Sequence, residues 1–164
     1  MRDVVIVDSV RTGLTKAFRG SFNLTRSDDM LAHCIDSLLD RNPNLSPEEV
    51  EDVVVGAATH AGEQDGNLAR LAVVLSKLPI TVAGVSINRF CSSGLQAIAI
   101  AANQIASGQT EVAIAGGVDS ISMRTRQEPG KAKQNQRLLD EKPDIFQAMG
   151  NTAEVVARRY QVTR

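Results

Sequence analysis

The chain has 164 residues, enough for one domain with a hydrophobic core, and a formal net charge of −1. Neither half of it is strongly basic and only 3% of its residues are aromatic, which argues against a nucleic-acid-binding surface. The lack of a long apolar run and of a signal-peptide pattern predicts a cytoplasmic protein without membrane contact, and two cysteines are too few for a disulfide scaffold.

Strand and helix patterns alternate from the start of the chain. The apolar run Val4-Val5-Ile6-Val7 is typical of a strand. A helix is predicted next, which Thr25 or Ser27 could cap and which Asn42-Pro43 would end. Its core-facing stripe at helical spacing consists of Met30, Leu31, Cys34, Ile35, Leu38 and Leu39.

The middle of the chain repeats this alternation. Ser46-Pro47-Glu48-Glu49 has the pattern of a capping box with proline at the first helical position, which predicts a short helix. Val53-Val54-Val55 predicts a second strand. Asn67 can cap a further helix, which ends before Pro79 and has an apolar side formed by Leu68, Leu71, Ala72 and Leu75.

A third strand is predicted from Val82 to Ile87, and a helix from Ser92 to Ser107, with Gly108 as its C-terminal cap. This helix is apolar around most of its circumference, which predicts burial on several sides. Val112 to Ala115 predicts a fourth strand, which closes on Gly116-Gly117. The order β-α-β-α-β-α-β predicts an α/β fold, with a largely parallel sheet covered by helices on both faces.

The character of the sequence changes after Ser122. Residues 124–143 are rich in Arg, Lys and Gln with little apolar periodicity, which predicts an exposed excursion. Asn151-Thr152-Ala153-Glu154 then predicts another helix that begins with a capping box. We therefore expect two regions, residues 1–121 and residues 122–164.

Cys91 is the residue most suggestive of chemistry, because it lies where the third strand turns into a helix. Helix N-termini present unpaired N–H groups and a positive dipole end, which favour a thiolate and can bind the oxyanion formed when it attacks a carbonyl. Ser92, Ser93 and Gly94 are small, so a substrate could approach, and Gly94 would let the helix pack tightly. This pattern predicts a nucleophile; the alternative is an inert buried cysteine.

The other candidate residues give weaker signals. Cys34 lies in an apolar stripe and is predicted to be core, while His33 falls on the opposite, polar side of the same helix. His60 follows the second strand, so it is either a neighbour of Cys91 at one sheet edge or a polar loop residue. No spacing matches a zinc site, a dinucleotide-binding loop or a phosphate loop, so we predict neither metal nor cofactor. No convincing base for Cys91 is found nearby.

The stretch Asn88-Arg89-Phe90-Cys91-Ser92-Ser93-Gly94-Leu95-Gln96-Ala97 resembles the acyl-enzyme cysteine motif of the thiolases (acetyl-CoA C-acyltransferases). The resemblance runs from Met1 to Arg164 and implies the N-terminal half of an α-β-α-β-α layered fold with a mostly parallel mixed sheet, plus the start of an inserted loop domain. Supporting matches are Val4-Val5-Ile6-Val7-Asp8 with Val10-Arg11-Thr12, Ala115-Gly116-Gly117-Val118-Asp119-Ser120, and Met149-Gly150-Asn151-Thr152-Ala153-Glu154.

The resemblance implies two-step acyl transfer between 3-ketoacyl-CoA and CoA, or the reverse condensation, through an acyl group on Cys91. CoA and acyl-CoA would then be substrates rather than cofactors. It also implies a homodimer or homotetramer, or membership of a fatty-acid oxidation complex, and the Asn-Arg-x-Cys pattern favours the fatty-acid degradation branch. Cys91 is the one catalytic residue that the resemblance assigns in this chain.

Other parts of the thiolase pattern do not occur in these 164 residues. The Asn-Glu-Ala-Phe motif, the Gly-His-Pro motif with its activating histidine, and the Cys-x-Gly-Gly motif with the second catalytic cysteine are missing. We therefore expect a truncated N-terminal portion that is inactive alone. The alternatives are a non-catalytic fold fragment that acts as a binding or dimerisation module and, less well supported, an unrelated cysteine hydrolase.

Overall fold

The computed structural model describes residues 2–124 and 134–164, which fall into two compact units, Met1–Glu128 and Pro129–Arg164. The first unit contains three strands among its described residues: β1 (Asp52–Gly56), β2 (Ala83–Ile87) and β3 (Ala113–Gly117). Its helices are α1 (Ser27–Arg41), α2 (Leu68–Leu75), α3 (Ser93–Ser107) and the single turn α4 (Ile121–Arg124), with 3₁₀ turns at Pro47–Glu49 and Gly62–Gln64. The second unit contains α5 (Gln136–Glu141) and α6 (Met149–Tyr160).

The three strands form a parallel sheet in the order β2-β1-β3, with Val54 aligned to Val85 on one side and to Ala115 on the other. Alternation along β1 sends Val53 and Val55 to the face covered by α1 and α2, and Val54 to the face covered by α3. All three valines are at most 2% exposed. The predicted α/β fold, with a parallel sheet between helices, is confirmed.

Several predicted helix ends are confirmed by their hydrogen bonds. The Asn67 side chain accepts a hydrogen bond from the Arg70 N–H at 3.1 Å and caps α2. Ser46 and Glu49 form the predicted capping box of the first 3₁₀ turn, and Gly108 ends α3 at a φ of 77°. The predicted cap of α1 by Thr25 or Ser27 is wrong: Arg26 takes the N-cap position and makes no side-chain capping bond, and the Ser27 hydroxyl donates to Glu63 instead.

The predicted strand Val4–Val7 is not observed. The three residues after Val4 are between 76% and 80% exposed, and none of the described strands pairs with them. The segment is held at its ends, where the Arg2 N–H donates to the Ala106 carbonyl at 3.2 Å and the Arg41 side chain donates to Asp8 at 2.8 Å. β-Propensity produces a strand only where a second backbone lies alongside to complete the ladder.

Helix α3 differs from its prediction in burial. Ala97 and Ala101 are buried against the sheet, but Leu95 is 73% exposed and Ile98 is 42% exposed on the outer side. Burial on several sides is therefore wrong for this chain alone, where only the face against the sheet is covered. An exposed apolar helix face of this kind is typical of a surface that packs against another element or chain.

The second unit departs from the sequence prediction at one helix start. Helix α6 begins at Met149 with Ala148 as N-cap, so Asn151 lies inside the helix instead of capping it. The predicted excursion over residues 124–143 lies partly outside the described residues, and its described part includes α5, which buries no residue. No helix within residues 2–124 and 134–164 is both long and apolar enough to cross a membrane.

Candidate active site

Cys91 lies in the short turn between β2 and α3, at the edge of the sheet where the parallel strands end. Strand β2 ends at Ile87 and α3 begins at Ser93, with Ser92 as its N-cap residue. The Cys91 side chain is exposed, so a reagent or substrate can reach it, and the alternative of a buried cysteine does not hold in this chain. Its catalytic role stays a prediction at this point.

The turn that precedes Cys91 has an unusual backbone. Phe90 adopts a φ of 48°, in the left-handed region that non-glycine residues rarely occupy. Two neighbouring side chains contact it: the Asn88 Oδ1 accepts from the Phe90 N–H at 2.8 Å, and the Ser93 hydroxyl donates to the Phe90 carbonyl at 2.6 Å. This geometry was not visible in the sequence, because nothing in Phe90 itself favours positive φ.

Two glycines allow the start of α3 to sit directly on the strand ends. A Cβ atom on Gly56 would lie 2.2 Å from the Ser93 carbonyl carbon, and a Cβ atom on Gly117 would lie 2.7 Å from the Gly56 oxygen. At Gly94 the added atom would meet Gly117 at 3.9 Å, an ordinary contact. The tight packing expected from Gly94 is therefore set by the two strand-end glycines.

Hydrogen bonds join the loops that follow all three strands. Asp119, after β3, accepts hydrogen bonds from the N–H groups of Ala58 at 2.8 Å and Thr59 at 3.2 Å, in the loop after β1. The Asn88 amide, after β2, donates to the Ala58 carbonyl at 3.1 Å. The turn that holds Cys91 is thus connected to both neighbouring loops through the backbone of Ala58.

Gln64 is a further structural residue at this edge, and sequence reasoning missed it. It is 2% exposed; its amide donates to Asp119 at 3.2 Å, and its carbonyl oxygen accepts from the Ser120 N–H at 2.7 Å. The partners are 55 and 56 positions away in the sequence, so no local pattern could have revealed this buried amide.

The remaining candidates contribute less to the site. His60 lies in the loop after β1 with its Nε2 3.0 Å from the Ala57 carbonyl, which fits the polar-loop interpretation. His33 is exposed on α1, as predicted. Cys34 is half-buried and lines a cavity of about 380 Å³ beside α1 and β3. Burial raises the pKa of the Cys34 thiol, against a smaller opposing effect of a backbone hydrogen bond from Thr12.

The fold and the site together define an α/β domain that presents an exposed cysteine at the carboxyl edge of a parallel sheet and the start of a helix. The family model described as "Thiolase, N-terminal domain" matches residues 4–164. The chain belongs to the thiolase family, which confirms the resemblance found in the cysteine motif.

Curated relatives agree with this assignment. The chain is 40% identical over its full length to a 3-ketoacyl-CoA thiolase of Bacillus subtilis, of which it covers 41%. It is 39% identical, again over its full length, to a β-ketoadipyl-CoA thiolase of Pseudomonas putida, of which it covers 44%. A third relative is the 3-oxoadipyl-CoA/3-oxo-5,6-dehydrosuberyl-CoA thiolase of Escherichia coli K12, which is 43% identical over 74% of this chain and 30% of its own length. The chain therefore spans less than half the length of these relatives.

Proposed function

We propose that this chain supplies the nucleophile of a thiolase that cleaves 3-ketoacyl-CoA, or catalyses the reverse condensation, and that Cys91 is this nucleophile. The observation that supports the proposal most directly is the exposure of Cys91 at the start of α3, inside a domain that matches the thiolase N-terminal family. Cys34 is the other thiol, but it is half-buried and its pKa is raised, so it is the weaker nucleophile.

In the cleavage direction, the Cys91 thiolate adds to the C3 carbonyl of the substrate. The C2–C3 bond then breaks, C2 takes up a proton, and acetyl-CoA leaves while the shortened acyl group stays on sulfur as a thioester. The thiolate of a second CoA adds to this thioester, the bond to the Cys91 sulfur breaks, and the shortened acyl-CoA leaves with Cys91 regenerated.

The local geometry supports stabilisation of the oxyanion formed in each step. Cys91 directly precedes Ser92, the N-cap of α3, and so lies at the helix end where N–H groups have no intrahelical partner and can donate to a developing negative charge. The start of α3 adds its positive dipole end at the same place. By resemblance, the base and the second-step acid come from the Gly-His-Pro and Cys-x-Gly-Gly motifs, which these 164 residues do not contain.

The names of the relatives support the proposed substrate class. Their names specify 3-ketoacyl-CoA in one case and β-ketoadipyl-CoA or 3-oxoadipyl-CoA in the others, all of them CoA thioesters with a ketone at C3. We extend this shared class to the present protein, with CoA and acyl-CoA as substrates and no cofactor. We also propose that the protein is cytoplasmic and that it assembles as a homodimer or homotetramer or as part of a fatty-acid oxidation complex.

The proposal is tested by thiolysis of acetoacetyl-CoA with the full-length protein, which here means a protein that contains this chain together with the Gly-His-Pro and Cys-x-Gly-Gly motifs. Cys91→Ala should abolish turnover and leave the folded state intact, because it removes the attacking atom and little side-chain volume. The matched control is Cys34→Ala, which removes the other thiol of these 164 residues and should keep turnover within a small factor. Loss of turnover in the Cys34 variant with retention in the Cys91 variant would refute the assignment.

The alternative of a non-catalytic binding or dimerisation module is favoured by one observation, the exposed apolar face of α3 formed by Leu95 and Ile98. Under that alternative, the full-length protein would associate but would not turn over acetoacetyl-CoA in either variant or in the wild type. The same assay therefore decides between the two functions.

A further inference from the structure

The strained backbone at Phe90 needs a physical cause. A bulky residue in the left-handed region is strained and persists only where the surrounding structure over-determines it. The Phe90 side chain is 75% exposed, so packing of its ring does not provide the compensation. The compensation must come from the hydrogen bonds of the turn.

Ser93 makes two of these bonds with one buried hydroxyl. Ser93 is only 3% exposed. Its hydroxyl accepts a hydrogen bond from the Arg89 N–H at 2.8 Å and donates one to the Phe90 carbonyl at 2.6 Å. The Ser93 N–H also donates to the Phe90 carbonyl, at 3.0 Å. The peptide group that follows Phe90 is therefore held in a fixed direction.

Asn88 fixes the peptide group on the other side of the same residue. Its Oδ1 accepts from the Phe90 N–H at 2.8 Å, while its Nδ2 donates to the Ala58 carbonyl at 3.1 Å. The Ala58 N–H is in turn held by Asp119 at 2.8 Å. Because its N–H and its carbonyl are both held by hydrogen bonds, Phe90 has little freedom in φ and ψ. The conformation of Phe90 in turn sets the direction in which the chain enters the next residue, Cys91.

We propose that Asn88 and Ser93, together called the clamp, are positioning residues that hold Phe90 in the left-handed conformation and so direct the Cys91 sulfur towards substrate. The inference rests on the proposed function, since it assigns these residues a role in the acyl transfer carried out by Cys91. Neither side chain is assigned contact with the reacting atoms. Their effect passes through the backbone of Phe90.

The test separates the direction of the sulfur from its chemical reactivity. In the full-length protein, Ser93→Ala and Asn88→Ala should each lower the rate of acylation by saturating acetoacetyl-CoA by about 10- to 100-fold, because misplacement of a reacting atom by about 1 Å costs on that scale. KM should change less than about threefold. Alkylation of Cys91 by iodoacetamide, a small reagent that needs no fixed direction, should stay within about twofold of wild type.

Ser107→Ala is the matched control, because the Ser107 hydroxyl donates to the Gln104 carbonyl three residues back at 2.9 Å, at the far end of the same helix. It should leave both rates within about twofold of wild type. A fall in iodoacetamide alkylation as large as the fall in acylation would overturn the proposal, since it would indicate a loss of thiol reactivity or access. Acylation at the wild-type rate in the clamp variants would overturn it as well.

A second substitution tests the cause directly. Glycine adopts positive φ without steric cost, so Phe90→Gly combined with Ser93→Ala should recover at least about threefold of the lost acylation rate. No recovery would contradict the role assigned to the Phe90 conformation.

If Ser93→Ala fails to fold, the exposed Asn88→Ala variant decides by the same criteria. Absence of acylation in the wild type would refute the proposed function, whereas wild-type acylation with unaffected clamp variants would refute only this inference.

Discussion

Gly56 is the position at which a single methyl group should disturb the candidate site most. A Cβ atom there would lie 2.2 Å from the Ser93 carbonyl carbon, 2.3 Å from its oxygen and 2.6 Å from the Gly94 nitrogen. All three are backbone atoms, so no side-chain rotation relieves the overlap. Ordinary contacts begin at 3.4 Å, and the start of α3 must therefore move by about 1 Å, a displacement that can cost 10²-fold in rate at an active site.

We expect Gly56→Ala to lower the free energy of unfolding by about 1–3 kcal/mol, the usual cost of overpacking. We also expect it to lower the rate of Cys91 acylation about 100-fold, because the helix start that moves is the one that follows Cys91. The assays are denaturant unfolding and pre-steady-state acylation by acetoacetyl-CoA, both on the full-length protein.

Gly116→Ala is the control for this experiment. It adds the same methyl group on the neighbouring strand β3, where no atom of the described residues, apart from Gly116 and its two chain neighbours, lies within 4 Å of the new Cβ. Its free energy of unfolding should stay within about 0.5 kcal/mol of wild type. Equal effects of the two substitutions, or wild-type acylation by the Gly56→Ala protein, would refute the claim that close packing at Gly56 positions the cysteine turn.

Two further predictions concern the thiols and the chain by itself. Iodoacetamide at neutral pH should label Cys91 before Cys34 in peptide maps, because burial raises the pKa of Cys34 and lowers its thiolate fraction at any given pH. The labelling rate of Cys34 should rise as the pH approaches that raised pKa. Faster labelling of Cys34 than of Cys91 at neutral pH would contradict this reasoning. The 164-residue chain alone should not cleave acetoacetyl-CoA, because it contains no Gly-His-Pro or Cys-x-Gly-Gly motif. It should also associate with other copies of itself through the exposed side chains of Leu95 and Ile98. A monomer in sedimentation that cleaves substrate would contradict both statements.

The sequence was most informative where the signal is local. Three predictions that depend on residues a few positions apart are confirmed: the strand at the valine run 53–55, the side-chain cap at Asn67 and the left-handed cap at Gly108. The strand predicted at Val4–Val7 is wrong because a strand also needs a partner backbone, which propensity cannot supply. The predicted cap at Thr25 or Ser27 is wrong because Arg26 takes the N-cap position and the Ser27 hydroxyl donates to Glu63, 36 positions away.

The candidate site shows the same division. The position of Cys91 was predictable, because a strand, a turn of small residues and a helix follow one another directly in the sequence. The strained Phe90, the close packing at Gly56 and the buried amide of Gln64 were not, since each depends on how distant strand ends meet at one edge of the sheet.

The most direct test of the account is the location of the acyl group after the first step. The full-length protein should be incubated with acetoacetyl-CoA in the absence of free CoA, quenched in acid and digested, and the acetylated peptide should then be identified by mass spectrometry. The account predicts one acetyl group on the peptide that contains Cys91, and its loss when CoA is added before the quench. An acetyl group on Cys34, or on a peptide without Cys91, would contradict the central claim.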